Sequence, residues 1–417
     1  MLSKLGLPLP LDPSQKLPFR LSTLAAAEFL LVLSYAIQSL PGRLSIFVPT
    51  ACICLWMLAC TRADFPPANH PLGWRVGIGC RVASIFLFAS TSVLEKVMVG
   101  SAEKRKHSNG DSVLRNLWSG VQTWFNPRCI NTASEPRSSL PPRPHITNRR
   151  SSFVIRQLLW GSFHFFLMDI STTLLHFYDI RRQTPLAPKS SLDFAFNHKF
   201  GLLTSVSYFG TLYTTLSYMH YALSAFSVGL GITNPCDWPP LFNFTFEACT
   251  LRKFWGTFWH QMFRRIFTTH ADFFSELLHL PPDSQITRYF KLFCSFGLSA
   301  LLHLGGDGLA LQSVSKSGCV KFFMLQAAAI VLEDNIIGLT SKLPAQRNLR
   351  RLLGCLSVLI WFGSTLPIWI DPLLDAGYVD TLNQGYFSPA MGLWKGVWFR
   401  QEFNTRIWDE IFRVQNH

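Results

Sequence analysis

Charge is the scarcest ingredient of this chain. Asp, Glu, Lys and Arg make up 15% of its 417 residues, against about 25% in an ordinary soluble domain. Hydrophobic residues make up 48% and aromatics 14%, and the apolar residues are clumped into long runs that a water-soluble core does not need. Period-two alternation is also missing, which excludes a membrane β-barrel and leaves helices as the segments able to satisfy their own backbone in a bilayer. Residues 1–20 contain several prolines and no continuous apolar core, so they lack the form of a cleaved signal peptide. The ten cysteines have no metal or redox spacing. Cys52, Cys54, Cys60, Cys80, Cys294, Cys319 and Cys355 sit in or beside apolar runs and read as small buried hydrophobes. That leaves no disulfide framework and no metal site. Paired inverted repeats with interrupted helices, which would suggest a transporter, are absent.

What is present is a series of runs of the length needed to cross a membrane, ~17–25 residues. They lie near 21–40, 44–60, 77–98, 153–177, 201–232, 289–311, 318–340 and 350–370, with a weaker ninth at 388–399. The expected fold is an all-α polytopic membrane protein of eight or nine transmembrane helices. The net charge of +14 would suit a nucleic-acid binder, but its distribution argues against one. Residues 101–152 hold nine Lys/Arg against three acids, and 341–351 hold Lys342, Arg347, Arg350 and Arg351 with no acid. Residues 371–388 hold Asp371, Asp375 and Asp380 with no Lys or Arg. This asymmetry is that of the positive-inside rule, so the partner is the lipid bilayer and no nucleic acid is implied. The chain then divides into N-terminal transmembrane helices (1–100), a basic cytosolic loop expected to be disordered (101–152) and a transmembrane core (153–417). The segment 233–288 falls on the cytosolic side.

The motifs cluster in 233–340. NPCDWPPLFN (234–243) has too much proline for a helix and predicts an extended, ring-bearing turn. ACTLRKFWGTFWHQMFRRIF follows at 248–267. Written as one helix, it places Phe254, Trp255, Phe258, Trp259, Met262, Phe263 and Phe267 in a broad apolar sector. Lys253, Arg264 and Arg265 lie towards its ends. This is the pattern of a helix anchored at the bilayer surface by rings and cationic stems. His260 then faces either an aqueous cavity or the headgroups. In CSFGLSALLHLGGDG (294–308), His303 follows nine uncharged residues. A histidine so deep in an apolar run lines a bundle interior or cavity and is often functional. Ser299 lies four residues before it, and Asp307 four after, beyond a Gly305–Gly306 pair able to break the helix. The imidazole is either a general base for an alcohol or a packed side chain bonded to Ser299. In KFFMLQAAAIVLEDN (321–335), Gln326 and Glu333 share a face. They either line the cavity of His303, or Glu333 and Asp334 mark the cytosolic end of the helix.

In this order DWPPLFN, FWGTFWHQMFRR, SALLHLGGD and FFMLQAAAIVLED resemble the wax synthase-like branch of the membrane-bound O-acyltransferase superfamily. The likeness is to its fungal members that acetylate terpenoid and meroterpenoid secondary metabolites, and it covers roughly 200–340. It implies helices around a tunnel, an acyl-CoA (acetyl-CoA for that type) entering from the cytosol as co-substrate, no bound cofactor, and a hydrophobic alcohol acceptor. It places the catalytic histidine on His303 and the motif on Phe254, Trp255, Trp259, His260 and Gln261. From these follow the expected roles. His303 is the base, and His260 or Gln261 holds the acyl carbonyl. Ser299, Asp307 and Gln326 join the rings at the substrate, and Lys253, Arg264 and Arg265 meet the CoA phosphates. The endoplasmic reticulum is the expected location. A long-chain wax or neutral-lipid ester synthase is the alternative within the same chemistry, and a non-catalytic membrane protein or transporter the alternative outside it.

Overall fold

The computed structural model describes residues 17–37, 39–62, 72–99, 113–132, 135, 140–142, 149–183, 202–243, 248–340, 346–379, 387–396 and 398. Its long helices are α1 (Leu21–Ala36), α2 (Leu40–Cys60), α3 (Leu72–Val99), α5 (Arg150–Gln183) and α6 (Leu202–Gly229), then α8 (Gln285–Leu311), α9 (Cys319–Thr340) and α10 (Arg347–Asp375). Shorter helices are α4 (Val113–Phe125), α7 (Arg264–Leu277) and α11 (Pro389–Lys395). The described strands, β1 (Leu17–Pro18) and β2 (Thr61–Arg62), are two residues each and pair in parallel.

Six of the described helices, α2, α3, α5, α8, α9 and α10, are long and apolar enough to cross a membrane. With 16 residues α1 is shorter, and α6 has the length, with 28, but is diluted by Ser, Thr and Tyr. The expected ninth span fails: in 388–399 the described helix, α11, has seven residues, or about 10 Å of rise, too little to cross.

α8 divides the core. Its Leu298 and Leu302 pack with α1, α2 and α3, whereas Phe296 and Ala300 pack with α6, α9 and α10. Each pair is four residues apart and so shares a face. Lipid tails are as apolar as leucine, so close van der Waals packing between small residues, rather than escape from water, holds such helices together. The α3–α8 contact shows this. A Cβ added to Gly79 would lie 2.2 Å from the Gly305 carbonyl oxygen, and one on Gly306 2.5 Å from Cys80 Sγ. The two backbones touch because side chains are missing there, and α8 runs unbroken through Gly305 and Gly306. The glycine pair is a packing device and not the helix break that the sequence left open.

The basic segment 101–152 is not disordered throughout. Leu117, Gly120 and Trp124 recur at helical spacing and form the inner face of α4. Gly120 seats against the Val32 carbonyl, 2.5 Å from where a Cβ would sit. Trp124 Nε1 donates to Glu28 at 2.9 Å, and Glu28 is also paired through both oxygens with Arg81. Arg128, just beyond α4, is buried and donates to the carbonyls of Pro239 and Pro240, 2.8 Å each. The segment therefore supports the proline-rich turn, while 101–112, 133–134, 136–139 and 143–148 lie outside the described residues. So do Lys342, Asp380 and the C-terminal tail from 399 on.

One cysteine expectation is corrected. Cys355 is not a free thiol but is bonded to Cys249, 106 residues away. Gly354 admits the approach, because a Cβ there would lie 2.3 Å from the Cys249 carbonyl oxygen. Such a separation leaves no spacing signal in the sequence.

Candidate active site

The aromatic motif begins where α9 caps it. Glu333 accepts the backbone N–H of Leu251 at 2.8 Å and of Arg252 at 3.1 Å. Asp334 accepts from the Arg252 guanidinium at 2.8 Å. An N-terminal helical turn leaves its first N–H groups without partners, and a carboxylate suits them in both hydrogen bonding and charge. Neither reading left open for Glu333 and Asp334 describes this role: α9 runs on past them to Thr340, and they cap the neighbouring turn at Leu251.

The segment is not the continuous surface helix expected over 248–267. One helical turn, Leu251–Lys253, widens into a π turn over Phe254–Phe258, in which Trp259 N–H reaches the Phe254 carbonyl at 2.8 Å. Trp259 is then extended (φ −66, ψ 149), and the helix resumes only at Arg264. Opening the helix frees carbonyls, and side chains downstream take them. Gln261 Nε2 donates to Trp259 O at 2.5 Å and Trp255 O at 3.3 Å. Arg264 Nη1 donates to Gly256 O and to Gln261 Oε1, both at 2.9 Å. Isolated π turns are frequent at functional sites.

The rings turn inward and are not surface anchors. Phe254 packs on Phe209 and Phe362, with centroids 5.7 and 4.7 Å away. Trp259 lies 5.2 Å from Phe209. Trp255 meets Phe296 edge-on at 5.8 Å and Phe323 at 6.2 Å.

Phe323 also carries His303. The two rings stack 5.0 Å apart and 11° from parallel, while Trp369 closes the side of the imidazole at 4.7 Å. Among the described residues the polar contact of His303 is Cys80 Sγ, 3.9 Å from Nδ1. No bond to Ser299 is formed, so the packed, Ser-bonded reading does not hold. One turn on, Asp307 is fully buried. Its Oδ2 accepts from Ser317 Oγ and, at 2.9 Å, from Trp369 Nε1, so Asp307 holds the indole that walls His303.

His260 lies among Trp259, Phe242 and Phe263. Burial pushes its pKa down to about 3, and the neighbouring His303 adds to this. His260 is therefore neutral at working pH and electrostatically close to His303. Three buried polar atoms around these histidines have no hydrogen-bond partner: Trp255 Nε1, His260 Nδ1 and Asp307 Oδ1.

Other expected site residues are committed elsewhere. Gln326 is fully buried and clamps α9 to α10, donating to Thr365 Oγ1 at 3.2 Å and accepting from Trp361 Nε1 at 3.0 Å. Arg265 forms a two-pronged pair with Glu95 at 2.7 and 2.6 Å. Arg264 knits the π turn, and Lys253 is exposed. The sequence reading missed Cys80, Phe323 and Trp369. Gly-Ile-Gly-Cys at 77–80 held a usable signal, because small residues in a span mark a helix contact. Nothing local distinguished Phe323 or Trp369 from other apolar residues.

A family model described as membrane bound O-acyl transferase family matches residues 238–325, from the proline-rich turn through His303 into α9. Acetyltransferase eriL of Hericium erinaceus is 29% identical over 378 residues, covering 89% of this chain and 95% of that protein. Acetyltransferase spyB of Aspergillus fumigatus is 30% identical over 292 residues, 63% of this chain and 49% of that protein. Acetyltransferase ataH of Aspergillus terreus is 37% identical over 178 residues, 42% of this chain and 58% of that protein. No solved structure matches the chain. A bundle of apolar helices, a family match that spans both histidines, and relatives that are fungal acetyltransferases point the same way: over 238–325 the chain is similar to the membrane-bound O-acyltransferase family, and it is an acyltransferase.

Proposed function

We propose that this enzyme transfers an acetyl group from acetyl-CoA to a hydroxyl of a terpenoid or meroterpenoid secondary metabolite, in the endoplasmic reticulum membrane, with His303 as general base. The observation that carries this is the setting of His303. It sits in a spanning helix, ringed by Phe323 and Trp369 and close to a second, neutral histidine. An imidazole walled by hydrocarbon is suited to an apolar alcohol, and the acetyltransferase relatives support acetyl as the acyl group.

In the reaction, His303 takes the hydroxyl proton as the alcohol oxygen attacks the thioester carbon. The tetrahedral intermediate collapses, the C–S bond breaks, and the imidazolium returns its proton to the CoA thiolate. Among the described residues the nucleophilic group in contact with His303 is the Cys80 thiol; it is packed against Gly306 in the α3–α8 contact, so direct transfer is preferred over an acyl-enzyme. His260 orients the acyl carbonyl. Gln261 acts on it only through the backbone, because both ends of its amide are engaged. Asp307 and Ser299 are proposed to meet the acceptor, and Lys253, which is exposed, to meet a CoA phosphate.

The test uses microsomes from a host expressing the full chain, given acyl-CoAs from acetyl to palmitoyl with polycyclic and linear alcohols. Ester from acetyl-CoA and a polycyclic alcohol, lost in His303→Ala, is the expected result. Ester from palmitoyl-CoA and a linear alcohol would move the enzyme to wax synthesis. Equal product from wild type and His303→Ala would remove the base.

A further inference from the structure

Trp255 presents a physical puzzle. A buried indole N–H ordinarily finds an acceptor, yet this one has none. Its ring neighbours are Phe209, Phe254, Trp259, Phe296, Phe323 and Phe362, and an aromatic face is at best a weak acceptor. The ring is also unusually well held. Its own carbonyl receives Gln261 Nε2, its turn is capped by Glu333, and Arg264 ties down the next carbonyl in the chain. One of its neighbours, Phe323, is the ring on which His303 is stacked.

A donor that is fixed, buried and unpartnered, one ring removed from the proposed base, can stabilise a developing oxyanion, because it needs no reorganisation at the moment of reaction. We propose that the Trp255 indole N–H donates to the thioester carbonyl oxygen and holds the oxyanion of the tetrahedral intermediate. The proposal rests on the acyl-transfer reading above. As the alcohol adds to the carbonyl carbon, the C=O π pair moves onto oxygen, and the indole hydrogen bond strengthens. When the C–S bond breaks the carbonyl re-forms and the bond relaxes. His260, whose Nδ1 is likewise buried and unpartnered, lies just beyond the same turn.

The test replaces the indole of Trp255 in the full-length membrane enzyme with benzothienylalanine, which keeps the bicycle and exchanges N–H for sulfur. Trp255→Phe is made in parallel. The expected loss is about 10²- to 10³-fold in kcat, the usual cost of removing one oxyanion donor, with KM for acyl-CoA changed far less. A second readout does not depend on turnover: in the His303→Ala background, the infrared carbonyl band of bound carbon-13-labelled acetyl-CoA is expected to move to higher frequency when the N–H is removed. Unchanged kcat in the benzothienyl enzyme, or an unmoved carbonyl band, would overturn the assignment. A wild-type enzyme that makes no ester from any acyl-CoA would overturn the acyl-transfer reading itself, which is a different outcome from an active enzyme indifferent to the N–H.

Discussion

The two histidines of this site are positioned by opposite means. His303 rides a 27-residue helix placed by backbone contact: Gly79, Gly305 and Gly306 let α3 and α8 touch, and the imidazole is bounded by rings and a thiol. His260 rides a segment with no regular helix, placed by hydrogen bonds that Glu333 accepts from backbone N–H groups and that Gln261 and Arg264 donate to backbone carbonyls. The difference follows from depth. Inside the bilayer, close packing of small residues is the strongest force available between helices, and interhelical hydrogen bonds average only about 0.6 kcal/mol. At the end of the bundle, the turns of the chain leave backbone groups that must be paired, and each left unpaired costs about 1–3 kcal/mol. His303 should therefore tolerate loss of polar neighbours and fail with an added methyl group, and the π turn should do the reverse.

The largest effect expected is that of His303→Ala. A positioned base is worth about 10²- to 10⁴-fold, so ester formation should fall to background in a radiolabelled acetyl-transfer assay. Glycine substitutions follow, and they separate the two regions directly. Gly79→Ala would put a methyl 2.2 Å from the Gly305 carbonyl and 2.7 Å from Gly306 Cα, so the helices must part. Loss of both activity and thermal stability in detergent is expected. Gly256→Ala, in the π turn, meets nothing within 4 Å and should leave both nearly unchanged. Equal damage from the two would end the distinction.

Next is Glu333→Ala, which leaves the N–H groups of Leu251 and Arg252 unpaired. At about 1–3 kcal/mol for a lost partner, a roughly 5- to 150-fold fall in kcat/KM is expected. Glu333→Gln, which keeps an acceptor, should recover part of it. The same acid-to-amide comparison at Glu28, bonded to Arg81 and Trp124 on the far side of α3, should leave kcat unchanged.

The contrast also explains what could be read without a structure. Spans, the inward histidine and the order of motifs are written in local composition, because a bilayer imposes length and apolarity on consecutive residues. That sufficed for the helices and for the inward placement of His303. The π turn was not legible. Phe254 to Phe267 has the periodicity of a surface helix; the bonds that hold it open come from Gln261 and Arg264, and its cap, Glu333, lies 82 residues beyond Leu251. The ordered part of 101–152 was hidden for a similar reason. Its charge count hides the three inward residues of α4, and the use of Arg128 appears only when Pro239 and Pro240 are in place. Arg264 and Arg265 misled in the other direction, since each looked like a phosphate ligand and each is spent inside the protein.

A smaller effect should appear in the pH dependence of stability. His260 has its pKa pushed down from 6.5 to about 3 by burial and then by His303. Between those values the unfolded chain binds a proton that the folded chain refuses. Stability is therefore fully present above about pH 6.5 and is lost progressively as pH falls towards 3. In His260→Asn this contribution is gone. Thermal unfolding of the detergent-solubilised variant at pH 7 and pH 5 should show a smaller drop than wild type. An equal drop would mean that His260 is hydrated, and hence not part of a dry site.

The smallest effect is expected from Cys355→Ser. The bond to Cys249 ties α10 to the residue just ahead of the motif, so it looks like a further clamp on the π turn. Two observations argue that the turn does not depend on it. Glu333 and Asp334 already hold residues 251 and 252, beyond the cysteine and nearer the rings. Also, the positive-inside asymmetry of the sequence predicts a cytosolic position for this end of the bundle, where thiols are kept reduced, so a catalytic requirement for the bond would be a poor fit to that side. Acetyl transfer by Cys355→Ser, and by wild type with and without dithiothreitol, should agree within about twofold, the scatter of surface changes of a few tenths of a kcal/mol. A loss as large as that of Glu333→Ala would make the covalent link part of the clamp. It would also place the π turn on the oxidising side of the membrane and turn the whole topology over.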